Sequence, residues 1–98
     1  MSSPDAAASP AIHHRPEVSR FEASFEAGLA VCTYRRQGDT LLITHTEVPP
    51  ALEGRGIAAA LVRATLDWAR QEGLRVRPLC SYVAAYMRRH PETLDLLA

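Results

Sequence analysis

The feature that most constrains this chain is a single change of apolar period across two prolines and two glycines. From Thr40 to Val48 the residues are rich in β-branched side chains, and the run stops at Pro49-Pro50, neither of which can donate to a sheet ladder. Past Gly54-Arg55-Gly56 the period becomes 3.6: Ile57, Leu61, Ala64, Thr65 and Trp68 share one side of a helical wheel, with Ala58, Val62 and Ala69 beside them. Arg63, Asp67, Arg70 and Gln71 gather opposite, and Leu66 lies at the far edge of the apolar arc. The pattern predicts a strand, a Gly-bearing loop and a long helix, ended by Gly73 after Glu72. Leu74 to Leu79 then reads as another strand, so strand, crossover helix and strand imply a parallel pair.

The flanks complete a small α/β (α+β) domain. Phe21, Ala23 and Phe25 alternate with Glu22, Ser24 and Glu26, and Leu29, Val31 and Thr33 with Ala30, Cys32 and Tyr34. Turn signals at Ala27-Gly28 and Gln37-Gly38-Asp39 make these runs an antiparallel meander with Thr40 to Val48. Ser81 is a candidate cap for a helix through Arg89, and His90-Pro91 opens a last turn carrying Leu94, Leu96 and Leu97. The expected order is βββ-α-β-α in a mixed, mostly antiparallel sheet. Residues 1–17, with Pro4, Pro10 and Pro16 in small and polar surroundings, are expected to be a flexible tail; 18–98 form the domain.

Composition narrows the class of partner. Ninety-eight residues allow one domain with an economical core. Eleven basic residues, all of them Arg, balance eleven acidic ones, which argues against nucleic acid as the main partner. No apolar run approaches the roughly 20 residues of a membrane span, and the first residues lack the basic start and apolar core of a signal peptide. Two cysteines are too few for a disulfide scaffold, so a reduced, cytoplasmic chain is expected, as monomer or homodimer. The four histidines have no metal-ligand spacing with the cysteines, and no metal site is expected.

The chemistry concentrates at the strand-to-helix junction. Two glycines let a ligand approach the backbone, the first N–H groups of the helix lack internal partners, and the helix dipole favours an anion. With Arg55 beside them, Gly54 and Gly56 read as a phosphate or pyrophosphate cradle, although neither the P-loop nor the dinucleotide fingerprint is present. The competing reading is glycines needed only for tight packing of strand against helix.

Glu53-Gly54-Arg55-Gly56-Ile57-Ala58 resembles motif A of the Gcn5-related N-acetyltransferases (GNAT), Q/R-x-x-G-x-G/A. With His45-Thr46-Glu47-Val48-Pro49, Pro78-Leu79-Cys80-Ser81-Tyr82-Val83 and Tyr86 through His90-Pro91-Glu92, the chain resembles the small, single-domain YjdJ-like, N-acetyltransferase domain-containing branch from about Phe21 to Leu97. The segment opens on acidic Glu53, with no Gln or Arg just before its first glycine. That departure bears on a side-chain contact with phosphate and not on the backbone cradle. The resemblance implies a compact GNAT-type fold and acetyl-CoA as cosubstrate, with an unidentified amine of a small molecule, peptide N-terminus or lysine as acceptor. It places the CoA pyrophosphate on the amides of Gly54, Arg55, Gly56, Ile57 and Ala58, with Glu53 at the head of the site. Glu47 and Val48 would pair with the pantetheine arm, the Val48 N–H would meet the thioester carbonyl, and Tyr86 would protonate the departing thiolate.

Other candidates come from position. Cys80 ends a strand where a sheet faces its cleft, and reads either as a thiolate, activated by the following helix, that accepts the acetyl group or lies beside the CoA sulfur, or as a small buried residue. Cys32, within a strand, reads as packing. His45 and Glu47 fall two apart, hence on one face with Leu41 and Ile43, and either is a candidate base for the acceptor amine. Tyr82 and Tyr86 share a helix face, Trp68 reads as core, and Arg35-Arg36 and Arg88-Arg89 as solvated faces. Three functional readings remain open: an acetyl-CoA-dependent N-acyltransferase, a non-catalytic acyl-CoA sensor or interaction module, and a binder of another phosphate ligand.

Overall fold

The computed structural model describes residues 11–98. Five strands form one sheet in the order β1-β2-β3-β4-β5: β1 (His13–Arg15), β2 (Arg20–Phe25), β3 (Gly28–Gln37), β4 (Thr40–Glu47) and β5 (Arg75–Pro78). The first three pairings are antiparallel and β4 runs parallel to β5. Helix α1 (Ile57–Gln71) makes the crossover, and α2 (Ser81–Arg89) leads into a 3-10 segment, Pro91–Leu96. The mixed α+β arrangement matches the expected one, with β1 added at the edge.

The period change at Pro49-Pro50 is where the ladder ends, since the last β4 pair is Glu47 with Val31 and Pro50–Leu52 turns as a 3-10 segment. Helix α1 buries Ile57, Leu61, Val62, Thr65, Leu66 and Ala69. Leu66 thus sits inside the core, while Trp68 is only half-buried against it. The side chains that α1 and α2 cover come from one face of the sheet: Phe21, Ala23, Ala30, Cys32, Tyr34, Leu41 and Ile43. Val31 and Leu42 belong to the other face, outside that cluster. At its C-terminus α1 stops at Gly73 (φ +69°), with the Leu74 N–H donating to the Ala69 carbonyl.

Two expectations need correction. The flexible tail of 1–17 falls partly outside the described residues, but from residue 11 onward the chain is placed, and His13–Arg15 pair with Arg20–Glu22. The reason is an aromatic cluster. The His14 ring stacks on Phe21 (centroids 4.1 Å apart), lies 4.5 Å from Trp68, and its Nε2 is 2.6 Å from the Tyr34 hydroxyl. No local pattern announces a strand held in this way. The second correction concerns β4. Its pairing with β3 slips between Thr33 and Tyr34: Tyr34 faces Ile43, whereas Thr33 faces His45, leaving Thr44 as the extra residue of a bulge. Leu41 and Ile43 face the helices, but past the bulge Thr46 takes that side, opposite Cys32, and His45 and Glu47 turn to the other face.

The His14 cluster has a pH signature. Burial lowers the His14 pKa from its ordinary 6.5, and the nearby Glu17 charge offsets this only in part. The unfolded chain therefore binds a proton that the folded chain resists, so the His14 contribution is complete above about pH 6.5 and is lost as pH falls below it. The urea midpoint should drop between about pH 7.5 and about pH 5.5, and His14→Phe, which keeps the stacking, should drop less. An equal drop in both proteins would exclude His14 as the cause.

Candidate functional site

A cleft of about 450 Å³ opens where β4 ends and α1 begins. Thr46 and Val48 form one wall; Leu52, Glu53, Gly54 and Gly56 form the loop side. Ile57 and Ala58 of the first α1 turn and Tyr82 of α2 close it. The cleft is thus lined at six of the positions singled out in the sequence: Val48, Glu53, Gly54, Gly56, Ile57 and Ala58.

The two glycines can be judged directly. Gly54 and Gly56 have φ of +82° and +77°, the left-handed region that side-chain-bearing residues rarely adopt. A Cβ built on either one meets nothing within 4 Å, so they are not present to let strand and helix pack closely. What a Cβ would occupy is space in front of the loop backbone. Gly56 is also the α1 N-cap and offers no side-chain cap. The first intrahelical bond runs from the Ala60 N–H to the Gly56 carbonyl, leaving the N–H groups of Ile57, Ala58 and Ala59 without helical acceptors. No acidic side chain stands in the first turn to answer them. Unshielded amides at the positive end of a 15-residue helix suit an anion. Arg55, between the glycines, keeps its side chain exposed and outside the cleft lining.

Cys80 reaches the inner end of this cleft through Thr46. Its thiol donates to Thr46 Oγ1 at 3.7 Å. Cys80, and not Ser81, occupies the α2 N-cap position, because its extended backbone (φ −93°, ψ 131°) sets the helix start and Ser81 is already helical. The sulfur makes no full cap hydrogen bond. Burial pushes the Cys80 thiol pKa up, but the Val83 N–H, the Thr46 hydroxyl and the Tyr82 N–H pull it down, and the net shift is downward. Cys32 behaves oppositely: it is fully buried, and burial raises its pKa despite the hydroxyls of Thr65 and Thr46 beside it. The two thiols are thus shifted in opposite directions, Cys80 towards easier ionisation and Cys32 away from it.

The remaining candidates lie elsewhere. His45 and Glu47 form an exposed pair on the uncovered sheet face, Nε2 to Oε1 3.9 Å, and do not line the cleft. Tyr86 is buried and stacked on the His90 ring at 4.1 Å, in a separate hollow with Arg63 and Asp67. The tyrosine at the cleft is Tyr82, one helical turn earlier. Thr46, Leu52 and Tyr82 are the lining residues that sequence reasoning did not single out as site residues. Tyr82, at the start of the helix after Cys80, had a usable signal in that position. Thr46 had none, because simple alternation puts it on the wrong face. Among the described residues no three His, Cys, Asp or Glu side chains cluster as metal ligands, and no helix is long and apolar enough to cross a membrane.

The glycine geometry makes a stability prediction. Gly56→Ala meets no steric obstacle but must hold a left-handed backbone, which costs about 1–2 kcal/mol. Chemical denaturation should show that loss with the far-UV spectrum unchanged. A neutral or stabilising result would mean that the loop relaxes to negative φ.

Comparison with known proteins agrees with this architecture. A family profile described as GCN5-related N-acetyl-transferase matches residues 20–96. The chain is 40% identical to Protein NATD1 of chicken over 63 residues, which is 63% of this chain and 57% of the chicken protein. The human NATD1 is equally similar, and the zebrafish protein is 36% identical over 69 residues, 67% of this chain and 63% of that protein. The chain therefore spans somewhat more than half the length of these curated relatives. In fold it resembles a GCN5-like protein from Staphylococcus aureus whose solution structure was determined by NMR, with a TM-score of 0.73, 24% identity, and coverage of 90% of this chain and 87% of that one. With 20–96 matched by the family profile, the chain belongs to the GCN5-related N-acetyltransferase family.

Proposed function

We propose that this chain binds acetyl-CoA in the cleft at the α1 N-terminus and transfers the acetyl group to an amine. The observation that carries the reading is the cradle itself. Gly54 and Gly56 leave the loop backbone uncovered, the first α1 amides lack acceptors, and the cleft leads from them along Thr46 and Val48 towards Cys80. A pyrophosphate fits that donor set. Acetyl-CoA would supply an activated thioester, and every other requirement falls to side chains and amides of the chain.

The backbone amides of Gly54 to Ala58 hold the diphosphate, and the Leu52 and Ile57 side chains offer apolar contact to the arm beyond it. Val48 lies one residue past the last β3–β4 pair and offers its N–H to the thioester carbonyl, where negative charge develops. Cys80, drawn towards the thiolate by its neighbours, accepts the acetyl group: its sulfur bonds the carbonyl carbon as the bond to the CoA sulfur breaks. The acceptor amine then forms its C–N bond as the Cys80 C–S bond breaks, returning the thiolate. Glu47 and His45 face the other side of the sheet and do not line the cleft, so water in the cleft takes the amine proton. The acceptor thus approaches Cys80 through the cleft, past Thr46 and Tyr82. Tyr86 sits in the neighbouring hollow, so the reading relies on water or Tyr82 for protonation of the leaving thiolate. The two free thiols suit a reducing, cytoplasmic setting.

The position of Tyr86 also favours a second reading, an acyl-CoA sensor that keeps the cradle without turnover. Calorimetry with acetyl-CoA and CoA separates both from any unrelated function: saturable binding is expected, weakened at least tenfold by Gly54→Val. Absence of binding at millimolar ligand would remove both readings. A thiol-release screen over small amines, polyamines and peptides should then show turnover, lowered by Cys80→Ala with the acetyl-CoA Kd unchanged. Binding without release against the whole panel would leave the sensor.

A further inference from the structure

Thr46 joins two cysteines of opposite character, and nothing in the sequence points to it. It lies in β4 just past the Thr44 bulge, pairs with Cys32 of β3, lines the cleft, and holds its Oγ1 3.7 Å from Cys80 Sγ. Cys32 is fully buried between Thr46 and Thr65, and Thr65 is itself committed to the Leu61 carbonyl at 2.8 Å.

From this geometry we propose that Thr46 is a positioning residue that sets the reactivity of Cys80, its hydroxyl reversing from acceptor to donor when the Cys80 thiol ionises. The orientation follows from proton counting. A hydroxyl has one proton and two lone pairs, whereas a thiolate can only accept. While Cys80 is a thiol it donates to Thr46 Oγ1, as observed. Once Cys80 has lost its proton, Thr46 O–H turns to the sulfur, and the freed lone pairs can accept the S–H of Cys32, which burial keeps protonated. The chain Cys32–Thr46–Cys80 then runs in one direction, each member donating to the next, and stabilises the anion at its cleft end. The titratable groups on the packed elements are Cys32 from β3 and Tyr82 from α2. No carboxylate or guanidinium contributes to the Cys80 shift, so neutral donors carry it and the loss of one hydroxyl is measurable. The β4 bulge is what makes this possible, since without the slip residue 45 would occupy the helix-facing position that Thr46 holds.

The proposal rests on Cys80 being the reactive thiol, and its test needs no acetyl-CoA, so it stands or falls separately from acetyl transfer. Iodoacetamide alkylation of Cys80 is followed by intact mass across pH, with buried Cys32 as the slow internal reference; the carbon–sulfur bond forms as iodide leaves. Thr46→Val, close in shape but without a hydroxyl, should move the midpoint of the Cys80 rate profile upward by about half to one pH unit. It should also slow alkylation at neutral pH about two- to five-fold, the higher intrinsic nucleophilicity of the more basic thiol returning part of the loss. Thr46→Ser should restore the midpoint. A profile identical in wild type and Thr46→Val would overturn the proposal, as would a Thr46→Ser profile matching that of Val. If Thr46→Val does not fold, Thr46→Ala, which imposes no added volume, carries the same comparison. A purely packing role would leave the midpoint unmoved in every variant.

Discussion

A one-residue slip in the pairing of β3 with β4 decides what each side of this protein can do. Thr44 is extra to the ladder, and its hydroxyl donates to the Thr33 carbonyl at 3.3 Å, which secures the strand across the irregularity. Before the slip, Leu41 and Ile43 feed the core; after it, Thr46 faces the cleft and the His45–Glu47 pair faces out. Had β4 run without the bulge, the polar side chains of His45 and Glu47 would point under α2 and the cleft wall would lose its hydroxyl. Burying that pair without partners would oppose folding far more strongly than a single unpaired strand residue does. The bulge therefore serves stability and the site together.

The helices on the other side depend on the same strand. β4 sits between β3 and β5, and the parallel β4–β5 pair obliges the chain to cross over through α1. That crossover sets the α1 N-terminus at the end of β4, where the loop of Pro50 to Gly56 must reverse direction in a few residues. The two left-handed glycines accomplish this and leave the amides uncovered. The N-terminus of α2 arrives at the same place after β5, with the Leu79 and Cys80 N–H groups both donating to the Ile43 carbonyl. Two helix N-termini and one strand end thus converge, and their combined dipoles make this corner electropositive.

At the opposite edge, the aromatic contacts of His14 hold β1 against Phe21, Tyr34 and Trp68, well away from the cleft. The Arg70–Asp95 pair, bidentate at 2.8 and 2.9 Å, ties the C-terminal segment back to α1. It is exposed and contributes little to stability, but it fixes where the chain returns to the sheet, as the Val76–Leu97 bridge also does. Both devices shape the edge of the domain and neither touches the site.

Much of the fold was legible in the order of residues because it rests on local physics. Prolines that cannot donate end β4, glycines with positive φ begin and end α1, and the 3.6 period marks the face of α1 that meets the sheet. The uncovered loop between β4 and α1 was legible for the same reason, since it consists of backbone, and backbone geometry follows from where Gly and Pro stand. Side chains brought together by long-range register were not legible. Alternation alone cannot reveal a bulge: it passes over Thr46 and places His45 and Glu47 on the face of Leu41 and Ile43. Helical spacing put Tyr82 and Tyr86 on one face, yet only the packing of α2 against α1 decided which of them meets the cleft. Tertiary aromatic stacking likewise drew His14 into the sheet from a stretch with no period of its own. The sequence determined the backbone because its signals act within a few residues. The tertiary structure decided which side chains meet, because a single slip between strands distant in sequence exchanges the two faces of a sheet.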